Sequence, residues 1–374
     1  EGEYTYFYKN DGLQDQSVLY RKKGEKGTEK IFLDPNKFST DGTTSLAGIS
    51  FSKDGSLVAY QISEDGSDWR KVIVLNALDH SVLSETLIDV KFSDLAWKGN
   101  EGFYYSSYDK PKDASALSAM TDQHKVYFHK LNTAQHTDEL VFGGDAIPRR
   151  YLSASLTDDE RFLIISAANT TSGNEIWIKD LTDPYARFIA VVDNLDKNHA
   201  VIDNEGDKLF IYTELDAPNG RIVTTDFASP QVHNWKTLIA ETDQVLSPST
   251  GGGKIFANYL RDATSLVKQY DHSGKMEREV VLPGVGTVSG FSAKEADKDL
   301  YYTFTSYINP GTIYKYAIDS GKSTPYKQSN VEFNPEQYES KQVFYTSKDG
   351  TKIPMIITYK KGVKLDGTNP TMLY

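Results

Sequence analysis

The 374-residue chain contains no cysteine, which excludes disulfides, thiolate metal sites and a cysteine nucleophile. It also lacks any run of basic residues, since 41 Lys and Arg stand against 52 Asp and Glu and the formal net charge is −11. We therefore expect no nucleic-acid partner, and the negative charge favours a soluble protein. No stretch approaches the ~20 apolar residues of a membrane-spanning helix, so we expect no membrane partner.

Helical periodicity is nearly absent, and short apolar runs take its place. Tyr, Phe and Trp make up 12% of the chain, with 24 Tyr and 17 Phe, and runs of aromatic or β-branched residues alternate with Gly, Asp and Asn. Aromatic and β-branched residues are enriched in half-buried strands, and the small polar residues between them are typical of turns. The sequence therefore predicts an all-β fold.

One unit of four short strands recurs along the chain. In successive copies of the unit, the turn between the first two strands is marked by Gly55, Gly102, Asp159, Gly206, Gly252 and Lys298. The steps between these markers are 47, 57, 47, 46 and 46 residues, the range of four-stranded propeller blades. The long step contains DKPKDASALSAMTDQ (109–123), which we interpret as an insertion between strands.

A further unit precedes the first marker, with the runs YTYFYKN, SVLYRKK and EKIFLDP. The sequence thus predicts a seven-bladed β-propeller of four antiparallel strands per blade, within residues 1–330. Several β-sandwich domains are the alternative, but the steady period and the absence of linkers argue against them.

Residues 331–374 depart from this pattern. Two strands, 342–346 and 352–359, are predicted to form a β-hairpin around Asp349-Gly350. The closing residues Thr371–Tyr374 read as the first half of an apolar strand. This segment therefore lies outside the blade count.

A search for catalytic and metal-binding motifs finds none. No Gly-x-Ser-x-Gly nucleophile elbow occurs, so no catalytic residue can be assigned. The run GGGK (251–254) lacks the spacing of a phosphate loop and is interpreted as a blade turn. The seven histidines, including His124 and His129, have no metal-ligand spacing, and the acidic turns SEDGSDW (63–69) and TDDE (157–160) lack a calcium-loop pattern. We therefore expect neither a metal nor a cofactor.

Several segments resemble the prolyl oligopeptidase family, above all its bacterial members. They are GLQDQSVLY (12–20), LDPNKFS (33–39), SEDGSDW (63–69), EGFYYSSYDKP (101–111), HKVYFHKL (124–131) and FYTSKDGTKIPMIITYKKGVKLDGTNPTMLY (344–374). The resemblance covers essentially the whole chain. It implies the propeller of a proline-specific serine endopeptidase, followed by an exit hairpin that leads to an α/β-hydrolase domain with the Ser/Asp/His triad. It also implies that residues 331–374 are a linker followed by the first, truncated strands of that domain. Because no triad residue falls in this sequence, we expect the chain to be inactive alone.

The resemblance also implies how the propeller works. It gates access to the hydrolase domain, excluding folded proteins and admitting short proline-containing peptides. The blade strands containing SFS, AWK, SASL, VIDN, SPST and GFSA are candidates to line its tunnel.

Among individual residues, the resemblance implies that Phe142 contacts the substrate, and ordinary blade packing is the alternative. Arg149 and Arg150 are candidates for inter-domain or inter-blade ion pairs, with plain solvent exposure as the alternative.

Three questions remain open from the residues alone. A freestanding propeller that binds peptides or proteins without catalysis is the alternative function, and a basic-residue-specific oligopeptidase is a related possibility within the family. The resemblance to bacterial members implies a periplasmic or secreted parent protein, with the cytoplasm as the alternative.

Overall fold

The computed structural model describes residues 1–24, 26–83, 85–109, 123–329 and 331–374. The predicted insertion at 109–123 falls almost wholly outside these described residues. The chain divides into two compact units. The first comprises residues 1–200 with 230–233, and the second comprises residues 201–229 with 234–374.

The first unit is built from antiparallel sheets whose strands follow one another in chain order. Sheet 1 has three strands: β1 (Tyr4–Lys9), β2 (Val18–Lys23) and β3 (Lys30–Leu33). Sheet 2 contains β4 (Thr44–Phe51), β5 (Leu57–Glu64), β6 (Trp69–Asn76) and β7 (Leu87–Lys91). Sheet 3 contains β8 (Ala96–Lys98), β9 (Gly102–Ser107), β10 (Lys125–Lys130) and β11 (Glu139–Gly143). Sheet 4 contains β12 (Tyr151–Leu156), β13 (Phe162–Ala168), β14 (Glu175–Asp180) and β15 (Ile189–Val192).

The same order repeats in the remaining sheets. Sheet 5 contains β16 (His199–Glu205), β17 (Lys208–Thr213), β18 (Arg221–Asp226) and β19 (Lys236–Ile239). Sheet 6 contains β20 (Val245–Gly251), β21 (Lys254–Arg261), β22 (Thr264–Tyr270) and β23 (Met276–Glu279). Sheet 7 contains β24 (Thr287–Ser292), β25 (Asp299–Ser306), β26 (Asn309–Ala317) and β27 (Lys322–Gln328). The described residues also contain five single-turn 3-10 helices: Pro35–Lys37, Gln135–Thr137, Gly144–Ala146, Val232–Asn234 and Pro335–Gln337.

These seven sheets are the blades of a seven-bladed β-propeller, which confirms the predicted fold class. Six blades have four antiparallel strands, and the first has the three strands that its three apolar runs indicated. The six turn markers fall at or beside the turns between the first and second strands of sheets 2 to 7. Every segment predicted to line a tunnel lies in or directly after the first strand of its sheet.

Apolar side chains pack between neighbouring sheets within each unit. In sheet 4, alternate residues of β12 are buried, so Leu152 and Ala154 point into a cluster shared with Val126 of sheet 3. Phe103 of sheet 3 is fully buried in the cluster shared with sheet 2. Burying one such side chain contributes roughly 1.5–3 kcal/mol, so these clusters supply much of the stability of the blades.

Each four-stranded sheet has two distinct ends. The end at which the first strand begins and the fourth strand ends is called the proximal end. The opposite end, which carries the turn between the first two strands, is called the distal end. In sheet 3, for example, Lys125 pairs with Ser107 and with Gly143, which places the end of β9, the start of β10 and the end of β11 together at the proximal end. Loops at this end therefore bring together residues far apart in the sequence.

A β-hairpin follows sheet 7, as predicted, with strands β28 (Tyr338–Thr346) and β29 (Lys352–Lys360) that pair along their whole length. The first strand begins at Tyr338 and not at residue 342, and the second ends one residue later than predicted. The predicted strand at Thr371–Tyr374 was wrong for this chain: these residues form no regular structure, and Leu373 is 89% exposed. A strand needs a neighbour to satisfy its backbone, and none of the described residues pairs with this segment. Within the described residues, no helix has the length and apolar character to cross a membrane.

Candidate functional site

An exposed aromatic cluster lies at the proximal ends of sheets 2, 3 and 4. Phe92 follows β7, Tyr108 follows β9, and Tyr151 begins β12. The ring of Phe92 lies 6.4 Å from the Tyr108 ring and 5.9 Å from the Tyr151 ring, both edge-on. Tyr108 is buried, whereas Phe92 is 41% exposed and Tyr151 52% exposed. Two rings thus face solvent above a third that supports them.

The backbone of Phe92 is held in an unusual conformation. Its φ is +52°, in the left-handed region that bulky side chains rarely adopt. Backbone strain of this kind is concentrated at functional sites, where the surrounding structure holds it in place. An exposed aromatic ring in a strained backbone is therefore a better candidate for a binding residue than an ordinary surface phenylalanine.

Lys91 supports the Phe92 ring from beneath. Its ammonium nitrogen lies 5.1 Å from the ring centre of Phe92 and 4.9 Å from that of Trp69, and the residue as a whole is only 8% exposed. Cation–π contacts become stronger when the cation is shielded from water. The lysine therefore restrains the Phe92 ring and leaves its outer face accessible.

Phe142, the residue predicted to contact substrate, lies near the proximal end of β11, where it pairs with Val126. Its half-buried ring packs against Trp177 at 5.6 Å and Phe188 at 4.9 Å. The next residue, Gly143, has a φ of +99° and lies against the backbone of His124 and the side chain of Leu152. Phe142 is thus close in the fold to the start of β12, and its ring packs against Trp177 on β14 of the same sheet. Its contact with substrate stays a prediction.

The two predicted arginines behave differently. Arg150 donates two hydrogen bonds to Glu175 Oε1, at 2.8 and 3.2 Å, and Trp177 Nε1 donates to the other carboxylate oxygen at 3.2 Å. Arg149 is exposed and has a φ of +56°. This ion pair lies within sheet 4 and not between blades, because Glu175 is on β14. It fixes the indole of Trp177, which in turn packs against Phe142.

His129 and the glycine run GGGK have structural roles. His129 Nδ1 lies 2.9 Å from Asp138 Oδ1, and Tyr105 donates to Asp138 Oδ2 at 2.9 Å. Gly252 and Gly253, with φ of +59° and +65°, form the turn between β20 and β21, which confirms GGGK as a blade turn. Within the described part of the chain, no group of three His, Asp or Glu side chains is placed to hold a metal ion.

Comparison with known protein families gives one consistent match. Residues 1–329 match the family model described as prolyl oligopeptidase, N-terminal beta-propeller domain. The chain is 58% identical to a prolyl endopeptidase from Elizabethkingia miricola, over 100% of the chain and 53% of that protein. A prolyl oligopeptidase from Omphalotus olearius is 30% identical, over 100% of the chain and 54% of its own length. The chain therefore spans about half the length of the curated relatives it matches.

Solved structures give the same result. One solved structure superposes on this chain with a TM-score of 0.87. It comes from work on two prolyl endopeptidases and on the role of inter-domain dynamics in their catalysis and specificity. It is 32% identical and covers 97% of this chain and 52% of that one. Prolyl oligopeptidase B from Galerina marginata, bound to a 35mer hydrolysis and macrocyclization substrate, has a TM-score of 0.86 at 27% identity and covers 98% of this chain and 55% of that one.

Proposed function

The chain belongs to the prolyl oligopeptidase family, whose N-terminal β-propeller domain it carries, and we propose that it controls peptide access in a proline-specific serine endopeptidase. Its partners are a C-terminal α/β-hydrolase domain of the same protein and short proline-containing peptides. The observation that carries this proposal is the exposed aromatic cluster at the proximal ends of sheets 2 to 4. Aromatic rings held rigid and half exposed are well suited to bind the apolar and proline side chains of a peptide.

In this proposal, residues 331–374 connect the propeller to the hydrolase domain. The chain leaves sheet 7 at Gln328, at the proximal end of that sheet, and enters the hairpin at Tyr338. The hairpin and the residues after it are the linker and first strands of the hydrolase domain. The exposed rings of Phe344 and Tyr345 and the side chain of Met372, from 50% to 83% exposed, are then surfaces for that domain to cover.

The propeller supplies selection, and the hydrolase domain supplies the chemistry. The first strands of the blades line the route that a peptide takes, and a rigid ring of blades excludes folded proteins by size. Movement between the two domains admits the peptide and then shields the reaction from water. Phe92 and Tyr151, together with Phe142, contact the peptide on the N-terminal side of the proline.

Hydrolysis of a chromogenic Gly-Pro peptide tests the proposal. The complete protein, carrying the hydrolase domain, is expected to release the chromophore after proline, whereas the 374-residue chain is expected to release none. Turnover by the purified 374-residue chain that survives removal of contaminating proteases would contradict its assignment as an access domain. Peptide binding without turnover by the complete protein would favour a freestanding binding propeller instead.

We place the complete protein in the periplasm or outside the cell, from the resemblance to bacterial members. Fractionation of the producing cells, with antibody detection, tests this. Recovery only in the cytoplasmic fraction would contradict it.

A further inference from the structure

One buried histidine connects the backbones that carry the two exposed rings. The backbone N–H of Leu152, the residue after Tyr151, donates to His124 Nδ1 at 2.8 Å. His124 Nε2 lies 3.0 Å from the carbonyl oxygen of Lys91, the residue before Phe92. A single imidazole thus joins the end of β7 to the start of β12 across sheet 3.

Only one form of the imidazole satisfies both contacts. The backbone N–H of Leu152 is a donor, so Nδ1 must accept, and the proton of the neutral ring must reside on Nε2, which donates to the Lys91 carbonyl. A doubly protonated ring would direct its Nδ1 proton at the Leu152 N–H. The geometry therefore requires a neutral histidine.

The surroundings of His124 keep the ring neutral and fixed. The residue is fully buried, and its ring stacks on Tyr108 with the ring centres 4.3 Å apart. Among the described residues, the charged groups on neighbouring segments include the ammonium groups of Lys91 and Lys125, the carboxylate of Asp109, which pairs with Lys125, and the guanidinium of Arg150, which pairs with Glu175. Burial lowers the pKa of His124 to about 4, so the ring is neutral at physiological pH.

We propose that His124 is a positioning residue that sets the separation and orientation of Phe92 and Tyr151 for peptide binding. This inference rests on the proposed function, because it takes these two rings as peptide contacts. His124 touches no substrate itself. It acts through the backbone: one hydrogen bond fixes the strained segment at Phe92, and the other fixes the start of β12 at Leu152. Its ring also stacks on Tyr108, which supports the rings of Phe92 and Tyr151.

Two substitutions separate positioning from simple filling of space. His124→Leu fills the volume but removes both hydrogen bonds, whereas His124→Gln keeps a neutral side chain with one acceptor and one donor. His129→Leu is the matched control, because His129 is also fully buried on β10 but bonds Asp138 rather than the aromatic segments. Any general effect of losing a buried histidine appears in that control.

The complete protein is assayed on a Gly-Pro substrate and on peptides extended by three residues before the Gly-Pro pair. We expect His124→Leu to raise KM for the extended peptides about three- to tenfold, the effect of losing one aromatic contact, with little change for the short substrate. His124→Gln is expected to restore the KM. His129→Leu is expected to leave the ratio of the two KM values unchanged.

Hydrogen exchange at the Leu152 amide gives a second readout that does not depend on activity. Exchange is expected to be faster in His124→Leu and close to the unsubstituted rate in His124→Gln. Unchanged exchange in His124→Leu, a folded His124→Gln that restores neither readout, or an equal KM shift in His129→Leu would overturn the inference. If the unsubstituted protein does not cleave after proline, the proposed function fails, and the exchange data alone still decide whether His124 positions the two segments.

Discussion

The carbonyl oxygen of Asp262 accepts a hydrogen bond from Gln342 Nε2, which fastens the hairpin to the turn between β21 and β22. This turn is tight, and both Asp262 and Ala263 have positive φ, at +49° and +64°. Solvent-open grooves of about 390 and 290 Å³ border the contact, the first lined in part by Gln342 and the second by Ile356 of the hairpin. The hairpin therefore rests on a narrow contact with open grooves beside it.

Gln342→Ala is therefore expected to loosen the hairpin without affecting the blades. A hydrogen bond of this kind contributes about 1 kcal/mol, so the amides of β28 and β29 should exchange roughly fivefold faster. Hydrogen exchange measured by mass spectrometry on the 374-residue chain checks this. Gln328→Ala, at an exposed glutamine on β27, is the control and should change nothing in the hairpin. Equal exchange in the two variants would show that the contact does not hold the hairpin.

Arg150 and Glu175 form an ion pair that should be costly to break from one side. The Arg150 side chain is 22% exposed and that of Glu175 only 9%. Arg150→Ala removes the guanidinium from a buried carboxylate that still accepts a hydrogen bond from Trp177 Nε1. The substitution should lower the free energy of unfolding by about 2 kcal/mol. Urea denaturation checks this value. The double variant Arg150→Ala/Glu175→Gln should recover part of the loss, and strictly additive losses would argue against direct coupling.

Acid should destabilise the fold through His124. The pKa of this residue is lowered from 6.5 to about 4 by burial, so between these values the unfolded chain binds a proton that the folded chain does not. Stability attributable to this residue is therefore complete above pH 6.5 and falls as the pH drops towards 4, by up to about 3 kcal/mol. Urea denaturation between pH 7.5 and 4.5 measures the loss, and His124→Gln should show a shallower decline. Parallel pH profiles for the two proteins would contradict this.

The exposed aromatic residues should matter for extended peptides only. Phe92→Ala in the complete protein is expected to raise KM about three- to tenfold for peptides that extend before the Gly-Pro pair. Phe142→Ala should have a similar effect if that residue contacts substrate, and should mainly lower stability if its ring only packs against Trp177 and Phe188. Leu78→Ala is the control, since Leu78 is 67% exposed in the turn between β6 and β7, at the distal end of sheet 2. Steady-state kinetics with paired short and extended substrates distinguish these cases.

Much of the fold could be predicted from the sequence because its signals are local. Alternating residues around Asp54-Gly55 predict two paired strands, and the structure pairs β4 with β5 around that turn. The repeat of this pattern then fixes the number of blades. The strand expected at Thr371–Tyr374 failed for a related reason: apolar composition alone favours a strand, but pairing requires a second segment.

The aromatic site could not be predicted in the same way. Phe92 lies in the run VKFSD, which reads as the continuation of a strand, and nothing local signals a left-handed phenylalanine. His124 was considered only as a possible metal ligand, because its partners lie 33 residues before it and 28 after it. Contacts over such separations arise only when neighbouring blades assemble. Arg150 was left open between an inter-domain or inter-blade ion pair and solvent exposure, whereas its partner Glu175 lies in the same sheet.

The assay of the complete protein on a peptide with a single internal proline tests the central claim most directly. Mass spectrometry of the products should show cleavage on the carboxyl side of that proline, with no cleavage of the same sequence embedded in a folded protein. The 374-residue chain alone should leave both substrates intact. Cleavage at another residue, or equal cleavage of the folded protein, would contradict the account of this propeller as the access domain of a proline-specific peptidase.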